Sequence, residues 1–353
     1  MKASIIISIS EFHTMTQNFF KFLSEYKTIS EFEIIIIEDS DVELIPPSYF
    51  SSFFCFNIKK ISTHKKVGYG KANNLGIKSA TSEILIFMND DIILTEGCLE
   101  ILINDLIQSK ADAVQPKLIY PQTNTIQSTG HVFTKYTNAH AYANVACHNI
   151  YANQSGPRKA LTTALSATKK SLFLKMEMFD ETYYNAWEGM EFFLKLTLNG
   201  YRCLYDSTAV AYHIRGGSRG IYNINENAQS AYFWGKWEGK IHDDLHLFYL
   251  QQLSLESQKH NYLVLNFSSL TEIFDILNKS KLKSKEAISY MHYSGLSKID
   301  FFKILPIKFC FSSENIIYFC ESFTQIINNK LWYEMRKDKK DIILDLNGNV
   351  LVL

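Results

Sequence analysis

Net charge is the first thing this chain lacks: 36 basic residues balance 36 acidic ones over 353 residues. Without a basic excess it is not a general nucleic-acid binder. Cysteine pairs of metal-binding spacing are missing too. Cys55, Cys98, Cys147, Cys203, Cys310 and Cys320 lie far apart except the last two, and none forms a Cys-x-x-Cys pair. That argues against structural zinc and against a compact disulfide scaffold, and fits a reducing compartment. No apolar run reaches the roughly 18 residues a spanning helix needs. The first apolar run, entered after one lysine, shows no signal-peptide cleavage pattern. Internal repeats and low-complexity segments are absent as well. What remains, 46% hydrophobic and 20% charged, is the balance of a globular protein with a sizeable core. The length allows one large domain or two of ordinary size.

The first hundred residues alternate strand and helix signals. Ser4-Ile5-Ile6-Ile7-Ser8-Ile9 and Glu33-Ile34-Ile35-Ile36-Ile37 are short β-branched runs, as expected of a parallel sheet covered on both faces. Between them, Phe19, Phe20, Phe22 and Leu23 predict a helix packed on that sheet, completing a βαβ unit. Thr95 is the expected cap of a helix through Ile107, with Leu99, Leu102, Ile103 and Leu106 on its apolar face. Another helix is expected from Trp187 to Asn199, closed by Gly200, with a strand at Val210-Ala211-Tyr212 running into His213. Asn225 to Gln252 reads as helical and aromatic-rich, and 253–340 as helical pieces between Ser/Lys turns. The last residues predict a hairpin, because Asn347-Gly348 separates two apolar runs.

The run Glu83-Ile84-Leu85-Ile86-Phe87-Met88 ends in Asn89-Asp90-Asp91. In an open α/β sheet, ligands collect beyond the carboxyl ends of the strands. Two acids there suit a divalent cation that is also held by a substrate's phosphates; a polar turn explains the same residues as simply. Gly68-Tyr69-Gly70-Lys71-Ala72-Asn73-Asn74-Leu75-Gly76-Ile77 offers backbone N–H groups at a helix start, where anionic groups bind well. It is not a Walker loop, since no Gly-Lys-Ser/Thr follows.

Taken in order, these segments resemble the family-2 glycosyltransferases of the GT-A fold, closest to bacterial rhamnosyl- and galactofuranosyl-transferase-like enzymes of surface polysaccharides. The resemblance covers roughly residues 3–240 through four motifs. Ile34 to Asp41 resembles the acidic motif that holds base and ribose, and Gly68 to Ile77 the glycine-rich helix start. Asn89-Asp90-Asp91 stands at the Asp-x-Asp position. Trp187-Glu188 through Lys195, Gly200-Tyr201 and His213 match the acidic helix, the Gly-Tyr strand and the downstream histidine. The fold it implies is α/β: a Rossmann-like, mostly parallel central sheet flanked by helices. It gives a GT-A domain over 1–240 and a mainly helical extension over 241–353 that ends in the hairpin.

The resemblance also implies roles. Asp91, then Asp90, and His213 would hold Mn²⁺ or Mg²⁺. Ser8, Glu38, Asp39, Gly68, Lys71, Asn74, Asn89, Asp90, Trp187 and Arg215 would bind the nucleotide sugar. With few protein carboxylates, the cation would lean on diphosphate oxygens and water. A lone histidine after a strand serves structure as readily as ligation, and Arg215 could as well be solvated. An inverting transfer also needs a base for the acceptor hydroxyl. Here the sequence departs from the family, because Gly189 stands where its base aspartate belongs. Glu188, one residue away, is the first candidate and Glu191 the second; a carboxylate that merely favours the helix dipole is the plainer reading of Glu188.

The reading that follows is a metal-dependent, inverting transferase using a UDP- or dTDP-sugar on a glycan or lipid-linked acceptor, in the cytoplasm of a bacterium. Gly189 keeps alive an alternative, a catalytically weak or silent nucleotide-sugar-binding scaffold subunit. Lys298 to Phe309 mixes cations with bulky apolar residues, which suits either peripheral contact with the inner face of the membrane or packing on the catalytic domain. Self-association is a further expected partnership. Donor sugar, acceptor and linkage are not written in these motifs.

Overall fold

The computed structural model describes residues 2–46, 48–50, 58–108, 110–133, 138–214, 226–242, 244, 262–266, 288–292, 315–319, 341–345 and 347–351. The chain divides into two compact units, Met1–Leu245 and His246–Leu353.

In the first unit the isoleucine runs become β1 (Ser4–Ile9) and, after α1 (Thr14–Ser24), β2 (Glu33–Glu38). Ile5, Ile6, Ile7 and Ile34 to Ile37 expose no surface, because both sheet faces are covered. Each such side chain stabilises the fold by roughly 1.5–3 kcal/mol. Phe19, Phe20 and Leu23 of α1 pack into one of these faces. The chain continues through β3 (Ile58–Ser62), α2 (Tyr69–Ser79), β4 (Ile84–Met88), β5 (Ile92–Leu94) and α3 (Cys98–Ile107). Next come β6 (Ala113–Tyr120), β7 (Thr125–Ser128), β8 (His131–Phe133), β9 (Asn138–His140), β10 (Gly156–Pro157) and β11 (Leu165–Lys169). The unit closes with α4 (Lys170–Lys175), α5 (Glu188–Leu198), β12 (Cys203–His213) and α6 (Glu226–Trp237).

The main sheet runs β10-β12-β6-β11-β4-β1-β2-β3, with β5 also on β12 and β7 also on β6. Its β4-β1-β2-β3 half is parallel, and β12 is parallel to β6. β11 lies antiparallel between β4 and β6. This is the mostly parallel α/β sheet that the resemblance implies. One expectation is corrected at α3: Gly97, at φ 76°, is its cap residue, and Thr95 Oγ1 instead donates to Val210 O at 2.6 Å. The hydroxyl stitches the turn to β12 rather than capping the helix.

The second unit carries β13 (Tyr262–Asn266), β14 (Ile288–His292), β15 (Asn315–Phe319), β16 (Ile342–Leu344) and β17 (Val350–Leu351). They form a sheet in the order β14-β13-β15-β16-β17. Pairing is parallel except between β16 and β17, where Asp345 N donates to Asn349 O and Gly348 takes φ 80°. The mainly helical reading of 241–353 is therefore corrected at three segments, 262–266, 288–292 and 315–319. A five-residue apolar run fits a strand or a buried helical turn equally, and only its pairing decides. The residues between these strands lie outside the described ones, as does the membrane-contact candidate at 298–309. No helix of the described residues is long and apolar enough to cross a membrane.

Candidate active site

β4 delivers the acidic motif, and the segments beyond it fix each residue differently. Asn89 N donates to Ala164 O at 2.9 Å, which ties the motif to the approach of β11. Asp90 is buried and accepts from Thr16 Oγ1, in the first turn of α1, at 2.7 Å. Burial pushes its carboxyl up and neighbouring Asp91 adds to that, while the Thr16 hydroxyl works the other way. Asp91 is placed by the strand that follows it. β5 pairs antiparallel with β12 so that Ile92 faces His213, and Ile214 N donates to Asp91 O at 3.0 Å. Two of the three expected metal residues thereby meet: His213 Nε2 lies 2.9 Å from Asp91 Oδ1.

The other ring nitrogen of His213 faces Gln127 Oε1 at 2.6 Å. Sequence reading missed Gln127, and its position explains why. β7 pairs Ser128 with Leu118 and Ile126 with Ile119, so Gln127 is the extra residue of a β-bulge. Bulges re-aim side chains next to functional sites, and no spacing rule marks one in a four-residue strand.

This donor set fits a divalent cation. Neutral imidazole carries one N–H, yet both of its nitrogens face oxygen acceptors here, so either a second ring proton or a bound cation between Nε2 and Asp91 completes the arrangement. Ligands on adjacent vertices of an octahedron with bonds of about 2.1 Å stand about 3 Å apart, and the observed 2.9 Å agrees. Among the described residues no cluster of three or more His, Cys, Asp or Glu could hold a metal.

The expected nucleotide and base residues gather around the start of α2. Asp39 Oδ1 accepts from Val67 N at 2.7 Å, and Oδ2 from Gly68 N at 3.0 Å. Gly68 has φ 90°, and a Cβ there would lie 2.1 Å from Tyr184 O, so only glycine fits. At Gly70 a Cβ would meet Glu188 Cγ at 3.3 Å, which lets α2 and the first turn of α5 lie close. Glu188 is buried there. Its preceding residue, Trp187, sits at φ 77°, a strained state for a non-glycine that costs on the order of 1–3 kcal/mol. The Trp187 indole leans on Phe233 of α6, ring centroids 5.0 Å apart.

Several expected ligand contacts are taken up by the protein itself. Asn74 Oδ1 accepts from Phe179 N at 3.1 Å and Nδ2 donates to Phe179 O at 3.0 Å, so the amide fastens α2 to the 179 turn instead of offering itself to a ligand. Glu38 accepts from Ile45 N at 2.6 Å and faces Lys60 at 3.4 Å. Glu191 is held by Lys236 Nζ at 2.5 Å and Trp237 Nε1 at 2.9 Å, which anchors α6. Lys71 is exposed and pairs with Glu181 at 3.3 Å. Ser8 is half-buried in β1, opposite Ile37. Arg215 lies outside the described residues.

Residues 4–173 match the family model for glycosyl transferase family 2. The O-antigen biosynthesis protein RfbC of Myxococcus xanthus is 20% identical over 232 residues, which cover 62% of this chain and 18% of that protein. This chain thus spans a small part of that relative's length. Among solved structures, GalNAc-T7 with UDP, GalNAc and Mn²⁺ is similar at a TM-score of 0.49 and 12% identity, covering 60% of this chain and 43% of that one. Staphylococcus aureus TarS is similar at a TM-score of 0.47 and 15% identity, covering 73% and 41%.

Proposed function

From the match of residues 4–173 to the glycosyl transferase family 2 model, we propose that this chain is a metal-dependent, inverting glycosyltransferase of bacterial surface polysaccharide synthesis. It takes a sugar from a UDP- or dTDP-sugar and passes it to a glycan or lipid-linked acceptor in the cytoplasm. The name of the Myxococcus xanthus relative fits that pathway. The observation that carries the reading is the meeting of Asp91 and His213 at the carboxyl end of β4.

Transfer breaks the bond between the anomeric carbon and the diphosphate, and the leaving group gains negative charge. Asp91 and His213 would hold a Mn²⁺ or Mg²⁺, which when bound would supply countercharge for that diphosphate. Asp90, tethered by Thr16, keeps the motif in place. Asp39 and Gly68 shape the cradle for the nucleotide, and the strained Trp187 sets the start of α5. Glu188, in that first turn, takes the proton of the attacking acceptor hydroxyl.

One observation favours a second reading. A Cβ at residue 189 would meet Thr163 Cγ2 at 2.5 Å, so the place of the family's base aspartate is filled. A silent, nucleotide-sugar-binding subunit would tolerate that. Release of UDP or dTDP from a panel of nucleotide sugars, with Mn²⁺ or with chelator, separates the two. Consumption that needs metal and disappears in Asp91→Ala and Glu188→Gln supports the enzyme. Metal-dependent nucleotide binding with no donor consumed supports the subunit.

A further inference from the structure

We propose that Gln127 is a positioning residue for the cation site: its amide oxygen holds the proton of His213 on Nδ1 and so presents the Nε2 lone pair beside Asp91. The inference rests on the metal reading above and goes one step past it, to what sets the tautomer of the ligand.

Four observations converge on Gln127. Its Oε1 lies 2.6 Å from His213 Nδ1, a short distance for an N–H donating to a carbonyl oxygen. An amide oxygen only accepts, so the shared proton belongs to the ring. A neutral imidazole then has no hydrogen left for Nε2, and Nε2 and Asp91 Oδ1 face each other as two lone-pair donors 2.9 Å apart. Finally, Gln127 is buried and is the residue left over where β7 slips against β6.

The slip has a use. β6 separates β7 from β12, so a regular ladder gives no guarantee that a β7 side chain reaches His213. The extra residue bends β7 and turns the amide onto the imidazole. Metal-binding histidines are commonly fixed through the nitrogen that does not touch metal, and losing that partner weakens metal binding about 10–100-fold.

The test uses the full chain, ¹⁵N-labelled at histidine, with two-bond ¹⁵N–¹H correlation to read the His213 tautomer and Mn²⁺ titration followed by electron paramagnetic resonance in the presence of UDP. The parent should show the proton on Nδ1. Gln127→Glu keeps an acceptor and should preserve both tautomer and affinity. Gln127→Met keeps the bulk without the amide; it should move the proton toward Nε2 and weaken Mn²⁺ binding about 10–100-fold. A parent with the proton on Nε2 overturns the proposal, whatever the variants do. So does a folded Gln127→Met that keeps the tautomer and binds Mn²⁺ like the parent while His213→Ala binds poorly; the metal reading survives that result. If His213→Ala and Asp91→Ala both bind Mn²⁺ like the parent, the metal reading itself falls and takes this one with it.

Discussion

Gly189 and Thr163 are a matched pair: a Cβ on residue 189 would lie 2.5 Å from Thr163 Cγ2 and 2.6 Å from its Oγ1. Alone, a glycine in the first turn of a helix costs about 0.8–1 kcal/mol against alanine. The stiff, β-branched Thr163 leaves it no alternative. The pair also joins the acidic motif to α5, because the next residue, Ala164, receives the Asn89 N–H.

Gly189→Ala should therefore destabilise the protein despite the better helix former. Overpacking costs typically 1–3 kcal/mol and outweighs the propensity gain. Thr163→Ala removes the two nearest atoms and leaves its Cβ at 3.1 Å, so in that background Gly189→Ala should cost clearly less than in the parent. Urea melts of the two single variants and the double variant measure the coupling. Additive effects would mean that the two residues do not share this space.

Asp180 predicts a pH dependence. Burial disfavours its charge, but Thr182 N, Lys236 and Tyr232 outweigh that and hold the carboxyl down at about 2. An unfolded aspartate titrates near 3.9. The folded value is the lower one, so the stabilisation is complete above about pH 4 and is lost as pH falls toward about 2. Partial exposure limits it to on the order of 1 kcal/mol. Asp180→Asn should thus be less stable than the parent at pH 6, and the gap should close below pH 4. A gap that stays constant down to pH 2.5 would exclude a charge-dependent role.

The parts legible in sequence were those set by local chemistry. β1 and β2 announce themselves as unbroken isoleucine runs, and α5 by its apolar period before Gly200. The acids after β4 were legible because a strand end is a place where ligands collect. Residues whose partners come from far along the chain were not. Asn74 gives no local sign that its amide bonds Phe179, 105 residues on. Glu191 gives no local sign of its partners Lys236 and Trp237, which arrive from α6. Gln127 and Thr163 carry no motif at all, since a bulge register and a collision with a missing Cβ exist only in three dimensions. The short strands of the second unit offered too few residues to tell a period of 2 from 3.6.

Two glycines with positive φ separate strain from collision. At Gly97, φ is 76° and a Cβ would meet nothing within 4 Å. Gly97→Ala should cost only the left-handed backbone, about 1–2 kcal/mol. At Gly68, φ is 90° and a Cβ would lie 2.1 Å from the Tyr184 carbonyl oxygen, which is backbone and cannot rotate away. Gly68→Ala should be the worse by at least about 1 kcal/mol. It should also loosen nucleotide binding, because the Gly68 N–H bonded to Asp39 must shift. Equal losses in denaturant melts would show that the approach of Tyr184 is not tight in solution.

The two carboxylates of α5 should separate by assay. Glu191→Gln weakens the contact with Lys236 and keeps an acceptor for Trp237, in a cluster that holds α6. Its expected effect is a stability loss of about 1–3 kcal/mol, with turnover largely kept in the fraction that stays folded. Glu188→Gln keeps shape and hydrogen-bonding capacity but cannot take a proton. It should melt like the parent, bind Mn²⁺ and UDP like the parent, and lose transfer by about 10²–10⁴-fold, the usual contribution of a general base. Melting curves and transfer rates on the same preparations give both readouts. The opposite pattern, with transfer abolished at an unchanged melting temperature in Glu191→Gln and retained in Glu188→Gln, would move the base from one helical position to the other and leave the ion pair with Lys236 as part of the chemistry.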